Sequence, residues 1–176
     1  MDELKYPIGR FDFSQEVSDE QIPGLVAQIE ALPELLRKSV EGLSEEQMDA
    51  SYRPGGWTLR QVIHHVADSH MNSFVRFKLA LTEDSPTIKP YDEAKWAELD
   101  DAVHVPADVS LQLIDSLHKR WVRLLCSLTP AQLDAVFRHP EIGDVSLRKA
   151  IGLYAWHGNH HLGHIQAFKK RNGLGL

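Results

Sequence analysis

The chain lacks most of what would tie it to a membrane, a nucleic acid or an oxidising compartment. It has one cysteine, Cys126, so no disulfide can form within it. No apolar run approaches the ~20 residues that a spanning helix needs. Met1 to Pro7 carries no apolar signal-peptide core. Net charge is −6 with the histidines neutral, and there is no long basic run. That disfavours nucleic acid as a partner, because phosphate binding needs clustered Lys and Arg. There is no repeat and no low-complexity tract. Strand signal is nearly absent, since Asp144-Val145-Ser146 is too short to matter. Cys126 ends the apolar run Leu124-Leu125-Cys126 and reads as a small buried hydrophobe rather than a nucleophile. A cytoplasmic protein with no membrane partner is the expectation.

What is present is helix and histidine. The 176 residues suffice for one domain, 1–176, with a single substantial core, and 43% apolar residues fit an ordinary globular chain. Residues 1–17 are irregular in pattern. Ser18 and Gln21 have capping-box spacing and open a helix whose apolar face runs Ile22, Leu25, Val26, Ile29 and Leu32. Pro33 should kink or restart it, because proline lacks the N–H and clashes one turn back. Leu35, Leu36, Val40 and Leu43 continue the face. Ser44 and Gln47 can cap one short turn.

Pro54-Gly55-Gly56 is a break. Thr58 and Gln61 form a second capping box, followed by a stripe from Leu59 through His70 and Phe77 to Leu81. Residues 83–107 hold Pro86, Pro90 and Pro106 and read as a long crossover, with one turn near Trp96. A third helix spans about Ser110 to Leu128, with Leu113, Leu117, Trp121, Leu124 and Leu125 inward. Thr129-Pro130 starts a short turn. The last helix begins at Ser146 and ends near Gly173. Four long amphipathic helices and one long connection predict an all-α fold, a four-helix bundle with a long crossover connection.

Four of the ten histidines, His157, His160, His161 and His164, lie within eight residues of the last helix. His64, His65 and His70 form a second cluster on the second long helix. Imidazole is the commonest protein ligand for zinc and similar ions. On a helix, residues four apart project from one face, so His157 with His161 and His160 with His164 are both possible pairs. All four fall within an arc of about 100°, on the side that Ala150, Tyr154, Ile165 and Phe168 mark as buried. Periodicity does not choose between the pairs, nor among His64, His65 and His70 for a third ligand. The competing reading is a polar seam of hydrogen-bonded histidines, costly wherever a buried ring goes unpaired, at roughly 1–3 kcal/mol each. His104, His118 and His139 read as surface or satisfied core residues. A protease of the H-E-x-x-H type is not supported, because Gly158 follows His157 and His161 follows His160.

Gly55 to Ser73, Arg76-Phe77-Lys78-Leu79, Pro90-Tyr91-Asp92-Glu93 and Gly152 to His157 together resemble the signature of the YfiT-like branch of the DinB superfamily. The resemblance runs from about Tyr6 to the C-terminus. It implies a four-helix bundle of DinB type, a divalent metal (zinc or nickel, one per subunit) and often a homodimer. It also implies that His65, His157 and His161 are the metal ligands. His64, His160 and His164 then become neighbours of the ligands, and Asn159 stands where some relatives have histidine.

Three protein ligands leave a coordination position open, as in catalytic rather than structural sites. A metal so held lowers the pKa of bound water to ~7 or holds a thiol as thiolate. The first gives a metal-dependent hydrolase, the name this branch usually carries. The second gives a thiol S-transferase, and YfiT-like members resemble bacillithiol S-transferases. Transfer of a low-molecular-weight thiol to a small electrophile is favoured, because the last-helix motif places no glutamate for water activation. A non-catalytic metal-binding stress protein is the third reading, and an enclosed site without a substrate cavity would favour it. Arg53, Arg60 and Arg76 could pair with carboxylates of a thiol cofactor, though solvated surface arginines are the plainer reading. Asp68, one turn beyond His65, could orient an imidazole. Trp57, Trp96, Trp121 and Trp156 read as core or pocket wall.

Overall fold

The computed structural model describes residues 2–175. The chain opens with a single turn, α1 (Asp2–Lys5), and runs without regular structure to α2 (Ile22–Val40). Gln21 returns its side chain to the Ser18 N–H, but the helix starts one turn later than that spacing predicts. A short α3 (Glu45–Met48) precedes α4 (Leu59–Thr82). The crossover contains two short helices, α5 (Glu93–Trp96) and α6 (Asp100–His104), where the sequence suggested one turn. Next come α7 (Ala107–Leu125), the short α8 (Pro130–Leu133), a hairpin of β1 (Val136–His139) and β2 (Gly143–Ser146), and α9 (Leu147–Arg171).

The fold is a four-helix bundle. Helix α2 packs on α9 and α7, and α4 packs on the same two. The first two long helices therefore face each other across a diagonal. The neighbours α4 and α7 run parallel, with His64 beside Ser110 and His70 beside His118, so the chain needs the long crossover to return along the bundle between them. Among the described residues no helix is long and apolar enough to cross a membrane.

Local chemistry sets the helix starts. Ser44, Thr58 and Thr129 each accept from the backbone three residues on, and each receives a glutamine side chain on its own N–H. Ser146 caps α9 by accepting from the Lys149 N–H at 3.3 Å. At the far end Gly173 takes φ 67°, and the Leu174 N–H closes on the Lys169 carbonyl at 2.9 Å.

Four expectations need correcting. The hairpin is real: Val136 pairs with Ser146 and Phe137 with Val145, and Phe137 and Val145 are buried in the core. Two inward side chains make a four-residue ladder worthwhile. Cys126 is exposed because it is the C-cap of α7, past the buried stripe. Leu113 is 42% exposed, on the outer face of the same helix. Pro33 does not restart α2, which runs through it as one element.

The core has two apolar halves. One gathers Phe77, Trp121, Phe137 and Ile151, and the other Leu36, Leu59, Ile114 and Ile165. His70 on α4, His118 on α7 and His157 to His161 on α9 fall at or beside the change from one half to the other, while His64 and His65 lie a turn or more earlier on α4, within the second half. A layer of imidazoles thus crosses the bundle at its waist.

Candidate metal centre

His65 comes from α4, and His157 and His161 from successive turns of α9. One ligand nitrogen from each lies within 4.8 Å of the other two. The Nε2 atoms of His65 and His157 are 3.2 Å apart. Two nitrogens at 2.0–2.1 Å from one tetrahedral ion stand roughly 3.3–3.4 Å apart, so this spacing already suits a shared divalent ion. The His157 and His161 rings are 4.6 Å apart at 69°. Three neutral imidazoles with converging nitrogens form a donor set that fits a borderline-soft divalent ion.

Electrostatics favour the neutral, ligating forms. Burial, followed by the neighbouring imidazoles, lowers the pKa of His65 to about 4 and holds His157 and His161 well below the ordinary value. Burial lowers His160 to about 4. At neutral pH each of these rings has a free lone pair.

The other histidines divide by their partners. His160 stacks on Trp156 at 4.5 Å, and its buried Nδ1 has no hydrogen-bond partner among the described residues. His164 reaches the Lys5 carbonyl with Nε2 at 3.0 Å and the His161 Nδ1 with its own Nδ1 at 3.3 Å. His64 turns away to Ser110 and the Val105 carbonyl. His70 is fully buried between His157 and His118. His118 is a core residue with both nitrogens engaged. His104 is exposed beside Asp100, and His139 ends β1.

A cavity of about 460 Å³ opens over the three histidines, with Tyr6, Tyr52, Arg53, Trp57, Glu93 and Trp156 on its wall. Trp57 lies 4.7 Å from the His65 ring. A second cavity of about 640 Å³ also reaches His157, past Arg76, Tyr91, Glu93, His139 and Tyr154. His157 and Glu93 line both. Glu93 is exposed as a residue, but partial desolvation of its carboxyl, and then the charge of Asp92, raise its pKa.

The structure reassigns several predicted residues. Asp68 makes no hydrogen bond to an imidazole among the described residues. Burial and the nearby Asp101 raise its pKa to about 6. Arg60 is buried and tied to Asp49, Glu45 and the Val105 carbonyl, so it braces α3 and the crossover against α4. Arg53 and Arg76 do face cavities. Trp121 is core, and Trp96 packs on Tyr91 in the crossover. Glu93 is the residue that sequence reasoning missed as a site group. Its only signal was membership of the run Pro90-Tyr91-Asp92-Glu93.

Fold and site together define a helical-bundle enzyme of the metal-dependent kind. Residues 28–165 match the DinB superfamily, and the chain belongs to it. It is 56% identical over 171 residues to a Bacillus cereus protein named "Putative metal-dependent hydrolase", covering 97% of this chain and 98% of that one. A similarly named protein of Bacillus thuringiensis subsp. konkukian matches at the same identity and coverage. Among solved structures, YfiT from Bacillus subtilis superposes with TM-score 0.95 at 45% identity, over 98% of this chain and 99% of its own. YfiT is described as "a probable metal-dependent hydrolase with an unusual four-helix bundle topology".

Proposed function

We propose that the protein is a metal-dependent S-transferase that joins a low-molecular-weight thiol of the bacillithiol type to a small electrophile. In this reading His65, His157 and His161 hold one zinc or nickel ion per subunit of a homodimer. The observation that carries it is the meeting of two cavities at His157 and Glu93. A transferase must seat two organic substrates against one reacting centre, whereas a hydrolase needs one and a water. When bound, the ion acts as a Lewis acid that lowers the pKa of a ligated thiol or water.

The protein groups divide the remaining work. Glu93, with its raised pKa, accepts the thiol proton from the wall shared by both cavities. The sulfur forms a bond to the electrophilic carbon, and a halide leaves with the bonding pair. With an epoxide, the C–O pair passes to the ring oxygen, which takes the proton that Glu93 received from the thiol. Arg53 and Arg76, one in each cavity, offer cationic contacts to carboxylates on either substrate. The tryptophans at 57 and 156 present apolar wall.

Hydrolysis is the second reading. Glu93 favours it as a carboxylate able to take a proton from water, and so do the names of the relatives. The open 460 Å³ cavity weighs against a purely metal-storing protein. The deciding experiment gives zinc-loaded protein a panel of thiols, including bacillithiol, with monochlorobimane, and ester and amide substrates in parallel. Conjugation that vanishes in His157→Ala supports transfer. Ester or amide cleavage without any conjugation replaces transfer with hydrolysis.

A further inference from the structure

Five histidine rings in the bundle waist, four buried and His157 partly so, are joined into two hydrogen-bonded runs, and each run ends on a backbone carbonyl. The first starts at Ile29 in α2, whose carbonyl lies 2.7 Å from His118 Nδ1. His118 Nε2 is 2.9 Å from His70 Nδ1, and His70 Nε2 is 3.1 Å from His157 Nδ1. The second starts at the Lys5 carbonyl, 3.0 Å from His164 Nε2, and passes from His164 Nδ1 to His161 Nδ1 at 3.3 Å.

A carbonyl oxygen only accepts, and a neutral imidazole has one donor and one acceptor nitrogen. These two facts fix the direction of every bond. His118 must donate from Nδ1 to Ile29, so its Nε2 accepts from the His70 Nδ1–H. His70 Nε2 then accepts from the His157 Nδ1–H, and the lone pair of His157 falls on Nε2. By the same logic His164 donates from Nε2 to Lys5 and accepts at Nδ1 from the His161 Nδ1–H. The lone pair of His161 also falls on Nε2. No carboxylate hydrogen-bonds to any of these five rings among the described residues. His70 is fully buried, with Trp121 and Tyr154 edge-on to it at 5.6 and 5.2 Å, a setting that favours the neutral ring.

The Ile29 carbonyl is available because of Pro33. In an uninterrupted helix the N–H four residues on would bond to it, and proline has none. The proline in the middle of α2 therefore supplies the fixed end of the first run.

We propose that His118 with His70, and separately His164, are positioning residues that lock His157 and His161 as Nδ1–H tautomers and so present both Nε2 lone pairs to the metal before it binds. The proposal rests on the ligand set given above. It makes His65 the adjustable member. Its Nε2 faces the lone pair of His157 at 3.2 Å, so in metal-free protein that nitrogen bears the hydrogen. It must move that hydrogen to Nδ1 when the ion enters.

The test is long-range 1H–15N correlation of the histidine rings in zinc-free wild-type protein, then after zinc addition. The expected spectrum has Nδ1–H at His70, His118, His157 and His161, and Nε2–H at His164. Zinc should change the tautomer of His65 alone among the three ligands. An Nε2–H signal at His157 or His161 in the zinc-free protein overturns the proposal. Zinc affinity by chelator competition gives the second readout. Removing an acceptor with His118→Phe or His164→Leu should weaken binding about 10–100-fold. His118→Gln and His164→Asn, which return an oxygen acceptor near the lost nitrogen, should recover most of it. Equal weakening by the acceptor-bearing and acceptor-free replacements overturns the positioning role. The zinc-free tautomers report on the two runs alone, whereas zinc retention by His65→Ala, His157→Ala and His161→Ala would overturn the ligand set instead.

Discussion

Leu32 packs so close to Gly158 that a Cβ there would clash with its Cδ2 methyl. Its Cδ1 and Cγ would be only 3.1 and 3.2 Å away. This is where α2 and α9 approach, one residue after His157. Leu32 is 2% exposed and has nowhere to go. Gly158→Ala should therefore destabilise the fold by about 1–3 kcal/mol through overpacking. It should do so although alanine is the better helix former by about 1 kcal/mol. Urea denaturation measures the loss. In a Leu32→Ala background the same change should be neutral or stabilising.

Metal content separates ligands from neighbours. His65→Ala, His157→Ala and His161→Ala should each abolish stoichiometric metal in plasma emission analysis. His160→Ala should keep most of it, because that ring stacks on Trp156. Stripping wild-type protein with a chelator should lower Tm, and zinc should restore it in a concentration-dependent way.

Glu93→Gln should reduce turnover about 100-fold or more while leaving bound metal unchanged, as expected of a proton acceptor. The acidic limb of the kcat/KM profile should disappear with it. A variant that loses metal along with activity would place Glu93 among the structural supports of the site.

Asp68 gives a pH effect of definite sign. Its carboxyl rises from 3.8 to about 6 on folding, so between those values the folded state holds more protons than the unfolded one. Stability from this group is full below about pH 4 and is lost as pH rises through 6. The unscreened effect would be about 3 kcal/mol, and partial exposure reduces it to about 1 kcal/mol. Asp68→Asn should thus stabilise the protein by that amount at pH 7 and leave it unchanged at pH 4. Urea titrations at the two pH values read the difference.

What the sequence disclosed was local. Thr58 with Gln61 and Ser146 with Lys149 mark helix starts through bonds three residues long, so α4 and α9 were legible to within a residue. The two imidazole pairs of α9 were legible too, but periodicity left them equivalent. The distinction lies across the bundle, where His65 stands 92 residues from His157 in sequence. The partners of His118 were hidden for the same reason, with Ile29 89 residues away and His70 48. Glu93 was hidden because the crossover has no period from which a facing direction can be read. The hairpin escaped because Val136 to His139 and Gly143 to Ser146 are too short for alternation to register. Their stability comes from Phe137 and Val145 reaching the core.

Ser146 belongs to two elements at once: it is the last rung of the hairpin, opposite Val136, and the cap from which α9 begins. The register of a four-residue ribbon therefore sets the rotational phase of a 25-residue helix. A one-residue slip there would turn everything downstream by about 100° about the helix axis. That would carry His157 and His161 away from His65 without altering a single side chain. The hairpin acts as an indexing stop for the helix, and insertions or deletions between 136 and 146 should be as damaging as loss of a ligand itself.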